Sequence, residues 1–390
     1  MTRKSTISPV IMFMLPWFGV WPGRSIILIN RLFWIVTLAF TGFCHYLYVS
    51  THLSSENFFN LVDCLCSFLA QVKVLIKLVM FWINQQKLME ILAVIVNDWK
   101  DCANSDVSLR VMIRKAKLSD RITNTILILH VATIIAYSMG VVLEDADATD
   151  QTIELPYVNT LQLPFNVSTQ RTYRLVLLTE IVHLIFLNTV AGFANAMLLT
   201  LILHVGGQME ILESRISQFI FKEIENKKES ITGTIKIIQK HQKIIQFSEN
   251  IEIIYTHIAL CVFASNMAMI CSIGFLIVIA IDTSNVMELV RCLLFLVITN
   301  LEAYIFCYAG EYLSNKSKAI GFAMYNCPWY NLKPKHSRIL LFVILRSQKQ
   351  LILTAGKMME LSLVSFASVR FREKSIIFVG SSTTDLFIRN

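Results

Sequence analysis

The sequence predicts an all-α membrane protein, a bundle of about seven helices with its N-terminus in the cytoplasm. Three observations carry that expectation. Hydrophobic residues make up 55% of the 390-residue chain and charged residues 16%, which leaves too little polar surface for soluble domains of this length. Long apolar runs recur, each able to cross a hydrocarbon core of ~30 Å at ~1.5 Å per residue. Basic residues collect in alternate loops, as cytoplasmic loops require.

The elements follow in order. Arg3 and Lys4 open a stretch broken by Pro9, Pro16 and Pro22, which reads as a turn-rich arm and not as a cleavable signal peptide. Six spans are predicted at Ile26–Val49, Phe58–Ile83, Asn124–Leu143, Val176–His204, Tyr255–Ile281 and Leu289–Leu313. In lipid the backbone must satisfy its own hydrogen bonds, so each is a helix. The stretches Leu88–Trp99 and Ile235–Ile245 are amphipathic with few breakers, and are expected to continue the membrane helices beyond the bilayer. Gly206-Gly207 is the expected site of a change of direction in the fourth span.

Charge sets the orientation. With a cytoplasmic N-terminus, the inner side holds Arg3, Lys4 and Arg24, the series Lys87 to Arg121, the series Arg215 to Lys243, and Lys316, Lys318, Lys333, Lys335 and Arg338. The outer loops hold Arg171 and Arg174. The sequon Asn166-Val167-Ser168 falls in an outer loop that also carries Glu144, Asp145, Asp147, Asp150 and Glu154, so Asn166 is the expected glycosylation site. Within the spans, Arg31 lies near the inner end of the first, and Lys73 and Lys77 lie on the inner half of the second, from which they are expected to snorkel inward. Glu302 lies ~18 Å from the outer end of the sixth span and is expected to face a partner on another helix.

No catalytic chemistry is expected. His45, His130, His183 and His204 are scattered among spans, no Ser/His/Asp set or phosphate loop stands out, and the protein is not read as an enzyme. Nine cysteines lack metal-ligand spacing and read as small buried hydrophobes. No metal and no cofactor is expected. Nucleic acid is excluded as a partner because the basic residues sit between apolar runs, which makes membrane lipid the partner of the surface.

The C-terminal region carries the most specific motifs. Cys327-Pro328-Trp329-Tyr330, Arg346-Ser347-Gln348 and Leu353-Thr354-Ala355-Gly356-Lys357 fall within Gly310–Val369. Ile339–Leu345 is too short to span and reads as a cytoplasmic helix with an apolar stripe suited to packing against other subunits. Met358–Val369 reads as twelve residues of helix, ~18 Å, short of a span. These motifs resemble the C-terminal signature of the insect odorant receptor family, and the topology resembles that family along the whole chain. The resemblance implies seven-helix subunits of ligand-gated cation channels, with the seventh helix split into a cytoplasmic part and a pore part. It implies subunit contacts through Trp329, Tyr330, Leu341, Ile344 and Leu345, and a pore lined by Leu361, Ser365 and Phe366. In the family the pore helix runs on to the outer face. Here it breaks into Arg370, Phe371, Arg372, Glu373 and Lys374 and a polar tail, which reads as a replaced last segment, as by intron read-through. The expected division is therefore a six-span bundle at 1–313, an anchor helix and truncated pore helix at 314–369, and an atypical tail at 370–390.

The function implied is odorant reception. The chain would be the odorant-tuning subunit of a nonselective cation channel, a hetero-tetramer with the family's shared co-receptor, in the plasma membrane of sensory neurons. A small volatile ligand needs a dry cavity with a few polar groups, which the resemblance places in the outer half of the bundle. Depth along the spans then selects Phe59 and Val62; Tyr137, Ser138 and Val141; His183 and Phe186; and Leu294, Val297 and Ile298. The alternative is a multi-span transporter or a metabotropic receptor. A transporter would show two halves of matching hydropathy with broken spans, and a G-protein-coupled receptor would have its N-terminus outside.

Overall fold

A computed structural model describes residues 5–21, 26–53, 58–147, 157–165, 167, 169–226, 231–332 and 334–369. Asn166 and the tail from Arg370 to Asn390 lie outside the described residues, as do Arg3, Lys4, Arg24, Asp150, Glu154 and Lys333.

The N-terminal arm is helical where turns were expected. Helix α1 spans Pro9–Trp17. Pro9 occupies the first turn, where its missing N–H costs nothing, and Pro16 falls in the last turn. The helix closes on Gly19 at φ +66°, with Gly19 N–H donating to the Pro16 carbonyl and Val20 N–H to the Leu15 carbonyl, the paired bonds of a Schellman cap. Ile11, Leu15 and Phe18 are buried, and Phe18 meets Phe193 edge-on at 5.0 Å.

Helices α2 (Ile26–His52) and α3 (Phe58–Ile83) follow. Along α2, Leu28, Phe33, Val36 and Phe43 are exposed, an apolar face that suits lipid and not water. After the single residue Asn84 comes α4 (Gln85–Cys102), amphipathic as expected but a separate helix, with Leu88, Ile91, Ile95 and Trp99 buried. Helices α5 (Asp106–Asp147), α6 (Gln170–Asn226), α7 (Ile231–Asp282) and α8 (Val286–Asn326) each run without interruption. Each outruns the span predicted within it, so a membrane helix and its extension form one rod. The 57 residues of α6 make ~85 Å of helix, far more than a bilayer core needs. Among the described residues, six helices are long and apolar enough to cross a membrane: α2, α3, α5, α6, α7 and α8.

Helix α6 is the axis of the bundle, with Ala194, Ala196, Met197, Leu198 and Leu201 buried and α5 and α8 packed along it. It stays helical through Gly206-Gly207. Close packing explains the first glycine, since a Cβ on Gly206 would stand 2.6 Å from the Tyr312 ring of α8. Helices α7 and α8 join through three residues. Ser284 takes φ 54° to end α7, and the Asn285 side chain accepts the N–H groups of Met287 and Glu288 to start α8.

Beyond α8, a 3₁₀ turn (Trp329–Asn331) leads to α9 (Pro334–Gln348), the expected short helix. The next apolar piece is not a helix from Met358. Strands β1 (Thr354–Ala355) and β2 (Met359–Glu360) pair antiparallel around Gly356 and Lys357, both at φ 60°, and Met358 N–H closes the turn on the Ala355 carbonyl at 3.0 Å. Gly356 N–H also donates to the Thr256 carbonyl at 2.9 Å, which fixes the hairpin on α7. Helix resumes at 363–369, seven residues before the described chain ends.

Candidate ligand-binding site

A cavity of about 540 Å³ lies among α2, α3, α5, α6 and α8, under the segment 157–165. Phe40, Val74, Ile134, Leu184, Leu187 and Phe295 give it an apolar wall, and Asn159, Leu161, Leu163 and Phe165 close one end. That closing segment is strapped down by charge. The Glu180 carboxylate accepts the N–H groups of Val158 (3.2 Å) and Asn159 (2.6 Å). Arg291 donates to the Val158 carbonyl (3.0 Å) and to the Tyr137 hydroxyl (2.8 Å), and lies 4.6 Å from the centre of the Tyr137 ring. Thr160 donates to Asp63 at 2.7 Å.

At the floor of the cavity lies a buried ionic triad. Glu302 of α8 binds Lys73 of α3 at 2.6 Å through one oxygen and Lys77 through the other. Lys73 also donates to the Asn266 side chain of α7 at 3.0 Å. Glu302 thus has the interhelical partner the sequence called for. Lys73 and Lys77 do not snorkel, because both ammonium groups are captured inside the bundle and Lys77 is fully buried. Three charges taken out of water are stable only because each has an opposite charge in contact.

Among the residues selected by depth, Tyr137, His183 and Ile298 line this cavity. The Tyr137 hydroxyl accepts from Arg291 and keeps its own proton to donate, while His183 Nε2 has no hydrogen-bond partner among the described residues. Phe59 lines a small adjoining recess with Asp63 and Arg291. Ser138 is buried with its hydroxyl unpartnered among the described residues, Leu294 is half-buried, and Phe186 and Val297 are exposed; none of these four lines the cavity. The lining also includes His45, Gln71, Thr299 and Glu180, which depth did not select. Glu180 carried a signal, a lone acid within an apolar run.

Two further ionic clusters lie at the α4 end of the bundle. Asp98 of α4, buried, accepts from Lys240 (2.8 Å), Lys243 (2.9 Å) and His204 Nε2 (3.2 Å). The other nitrogen of His204 bonds Thr6 at 3.0 Å, and Trp99 donates to the same hydroxyl at 2.8 Å, which ties the N-terminal arm to α4 and α6. Burial alone would raise the Asp98 carboxyl, but the bond from His204 and the charge of Lys240 outweigh it and hold it well below the usual range. Glu210 of α6 gathers Lys115, Arg114 and Lys316, joining α5, α6 and α8.

In the C-terminal region Tyr330, Leu341 and Leu345 are exposed, together with Phe342, while Trp329 and Ile344 pack partly against the core. Leu361 is buried against Gly310, where a Cβ would stand 2.1 Å from the Leu361 carbonyl oxygen. Ser365 bonds Ser362 at 2.9 Å, and Phe366 meets the Tyr304 ring at 6.0 Å.

The family model of the seven-transmembrane odorant receptors matches residues 57–370 of this chain. The chain belongs to the odorant receptor family. Its relatives include Odorant receptor 67c of Drosophila melanogaster, 25% identical over 53% of this chain and 50% of that one. Odorant receptor 10 of Aedes albopictus is 30% identical over 37% of this chain and 38% of that one. The matched stretch spans about half the length or less of these curated relatives. The fold is similar to that of the insect olfactory receptor OR5 from Machilis hrabei, solved in complex with eugenol, with a TM-score of 0.77 at 16% identity over 95% of this chain and 96% of that one. A second structure of the same receptor gives a TM-score of 0.75 at 15% identity over 95% of this chain and 96% of that one. Members of this family are multi-pass membrane receptors and not enzymes.

Two outcomes follow from the ionic clusters. Glu302→Gln should lower the thermal midpoint of the detergent-solubilised protein by the equivalent of about 3–5 kcal/mol, because it leaves two ammonium groups without a counter-charge. Adding Lys77→Met should recover part of that loss; a double variant no more stable than Glu302→Gln would remove the triad as the cause. Asp98, with its folded-state pKa depressed, contributes stability that is complete above its unfolded value of about 4 and is lost as pH falls through the lower folded value. Wild type should therefore lose midpoint on acidification below about pH 4 more steeply than Asp98→Asn, which should be the less stable protein at neutral pH.

Proposed function

We propose that this chain is the odorant-tuning subunit of a ligand-gated, nonselective cation channel formed as a hetero-tetramer with a shared co-receptor in the plasma membrane of sensory neurons. The observation that carries the reading is the largely apolar cavity of about 540 Å³, a size and character that suit a small volatile molecule with one polar end. The eugenol complex of a receptor of the same fold supports that ligand class. Tyr137 and His183 supply polar handles within the wall. A ligand that fits the cavity better in the open state shifts the population toward it.

Three parts divide the work in this reading. Residues 1–313 hold the cavity. Residues 314–369 supply the anchor and the start of the pore, and the exposed stripe of Tyr330, Leu341, Phe342 and Leu345 supports a role in subunit contact. Leu361, Ser365 and Phe366 lead into the pore. The tail at 370–390 brings Arg370, Arg372 and Lys374 where the family has apolar sequence, and such a tail cannot cross lipid cheaply.

Co-expression with an insect co-receptor and recording of odorant-evoked current tests the proposal. A chain whose tail after Val369 is replaced by an apolar family segment should conduct, the present tail should give little current, and His183→Ala in the conducting chain should shift dose–response without loss of surface protein. Unchanged responses across a broad odorant panel would take His183 out of the pocket, and equal currents from both tails would defeat the reading of the C-terminus.

Orientation has its own check. An epitope at the N-terminus should stain only after permeabilisation, and Asn166→Gln should remove an endoglycosidase-sensitive mass shift. Surface staining of the N-terminal epitope on intact cells would reverse the topology and with it the channel reading.

A further inference from the structure

We infer that the floor of the cavity is a carboxylate site, so that the ligand is an organic acid with an apolar body. The inference rests on the reading of the cavity as the ligand site and names the chemistry of its polar end. Two ammonium groups, Lys73 and Lys77, meet a single carboxylate, Glu302, so the triad has one positive charge in excess. An unbalanced charge in a desolvated site is costly, and a bound anion removes the cost. Lys73 lines the cavity and spends two of its three N–H donors, on Glu302 and Asn266. The third has no partner among the described residues and is the donor offered to a ligand. One turn before Glu302 on the same face of α8, Thr299 also lines the cavity, and its hydroxyl is 2% exposed by residue and has no partner among the described residues. A helical threonine can return its hydroxyl to the preceding turn; here the hydroxyl is left for something else. Both residues line the one cavity, and the Asn266 side chain bridges them, accepting from the Lys73 ammonium and donating to the Thr299 carbonyl, so an ammonium and a hydroxyl supply a two-donor seat for the two oxygens of a carboxylate.

A neutral carbonyl or alcohol could accept the same two bonds, and charge is what separates them. The other acid lining the cavity, Glu180, is held at the closing segment, where its carboxylate accepts the backbone N–H groups of Val158 and Asn159. Phe40, Ile134, Leu187 and Phe295 leave apolar wall for the body of the acid. A volatile acid and a membrane fatty acid present the same headgroup, so the source is a matter for the test.

The experiment measures binding by the full chain in phospholipid nanodiscs at neutral pH, with octanoate, octanal and octanol as matched probes and oleate as a lipid-derived arm. Octanoate should bind more tightly than octanal and octanol. Lys73→Met and Thr299→Val should each weaken octanoate by roughly tenfold to a hundredfold, the range expected for a lost hydrogen bond to a charged group, while octanol changes by less than about threefold. Lys73→Met leaves the neutral Glu302–Lys77 pair intact and Thr299→Val conserves shape, so the two variants test the seat with different risks to folding. Tighter octanoate than oleate assigns the seat to a free acid, and the reverse assigns it to lipid. Octanal or octanol binding as tightly as octanoate, or octanoate indifferent to both variants, overturns the carboxylate inference while leaving the cavity as a ligand site. No binding of any probe by a chain that melts cooperatively overturns the cavity reading itself.

Discussion

The carboxylate of Glu302 is the constraint around which the bundle is arranged. It must find positive charge or be expelled from the apolar interior, and the two lysines that satisfy it come from α3. Lys73 then recruits Asn266, whose own amide donates to the Thr299 carbonyl of α8. Helices α3, α7 and α8 are thereby locked in register at one height by polar contacts that tolerate no sliding, because a displacement of one turn would strand a charge. Two of the locked helices, α3 and α8, line the cavity.

The same logic recurs at other levels of the molecule. Asp98 fixes α4 to α6 and α7, Glu210 fixes α6 to α5 and α8, and Arg291 with Glu180 fixes the segment over the cavity. In each case one charge gathers partners from elements far apart in sequence. Apolar packing between helices is weakly directional in lipid, since the lipid tails compete as equals. Register in this bundle therefore falls to the ions, and close approach falls to the glycines at 206 and 310.

Much of this was legible in the sequence. The helical membrane class, the spans and the short α9 followed from composition and run length. Charges interrupting apolar runs marked Lys73, Lys77 and Glu302, but their pairing joins residues 229 positions apart, which periodicity cannot reveal. Depth places a residue along its helix without fixing its rotation: Val297 is exposed at 62% while Ile298, the next residue, lines the cavity. Proline cues overstated the break in the N-terminal arm, because Pro9 sits in the first turn of α1. An apolar run from Met358 looked helical, and the Gly356-Lys357 turn that makes it a hairpin was the stronger local signal.

The absence of a side chain at Gly310 gives α8 a second office. Glu302 and Gly310 lie eight residues apart on one rigid rod, ~12 Å along its axis. At one point the rod bears the charge at the cavity floor; at the other, Leu361 rests against it with no slack for even a methyl group. A rod without slack at its far bearing has the geometry of a pushrod: any shift of α8 along its length would press on Leu361, which leads into the last helical residues of the described chain.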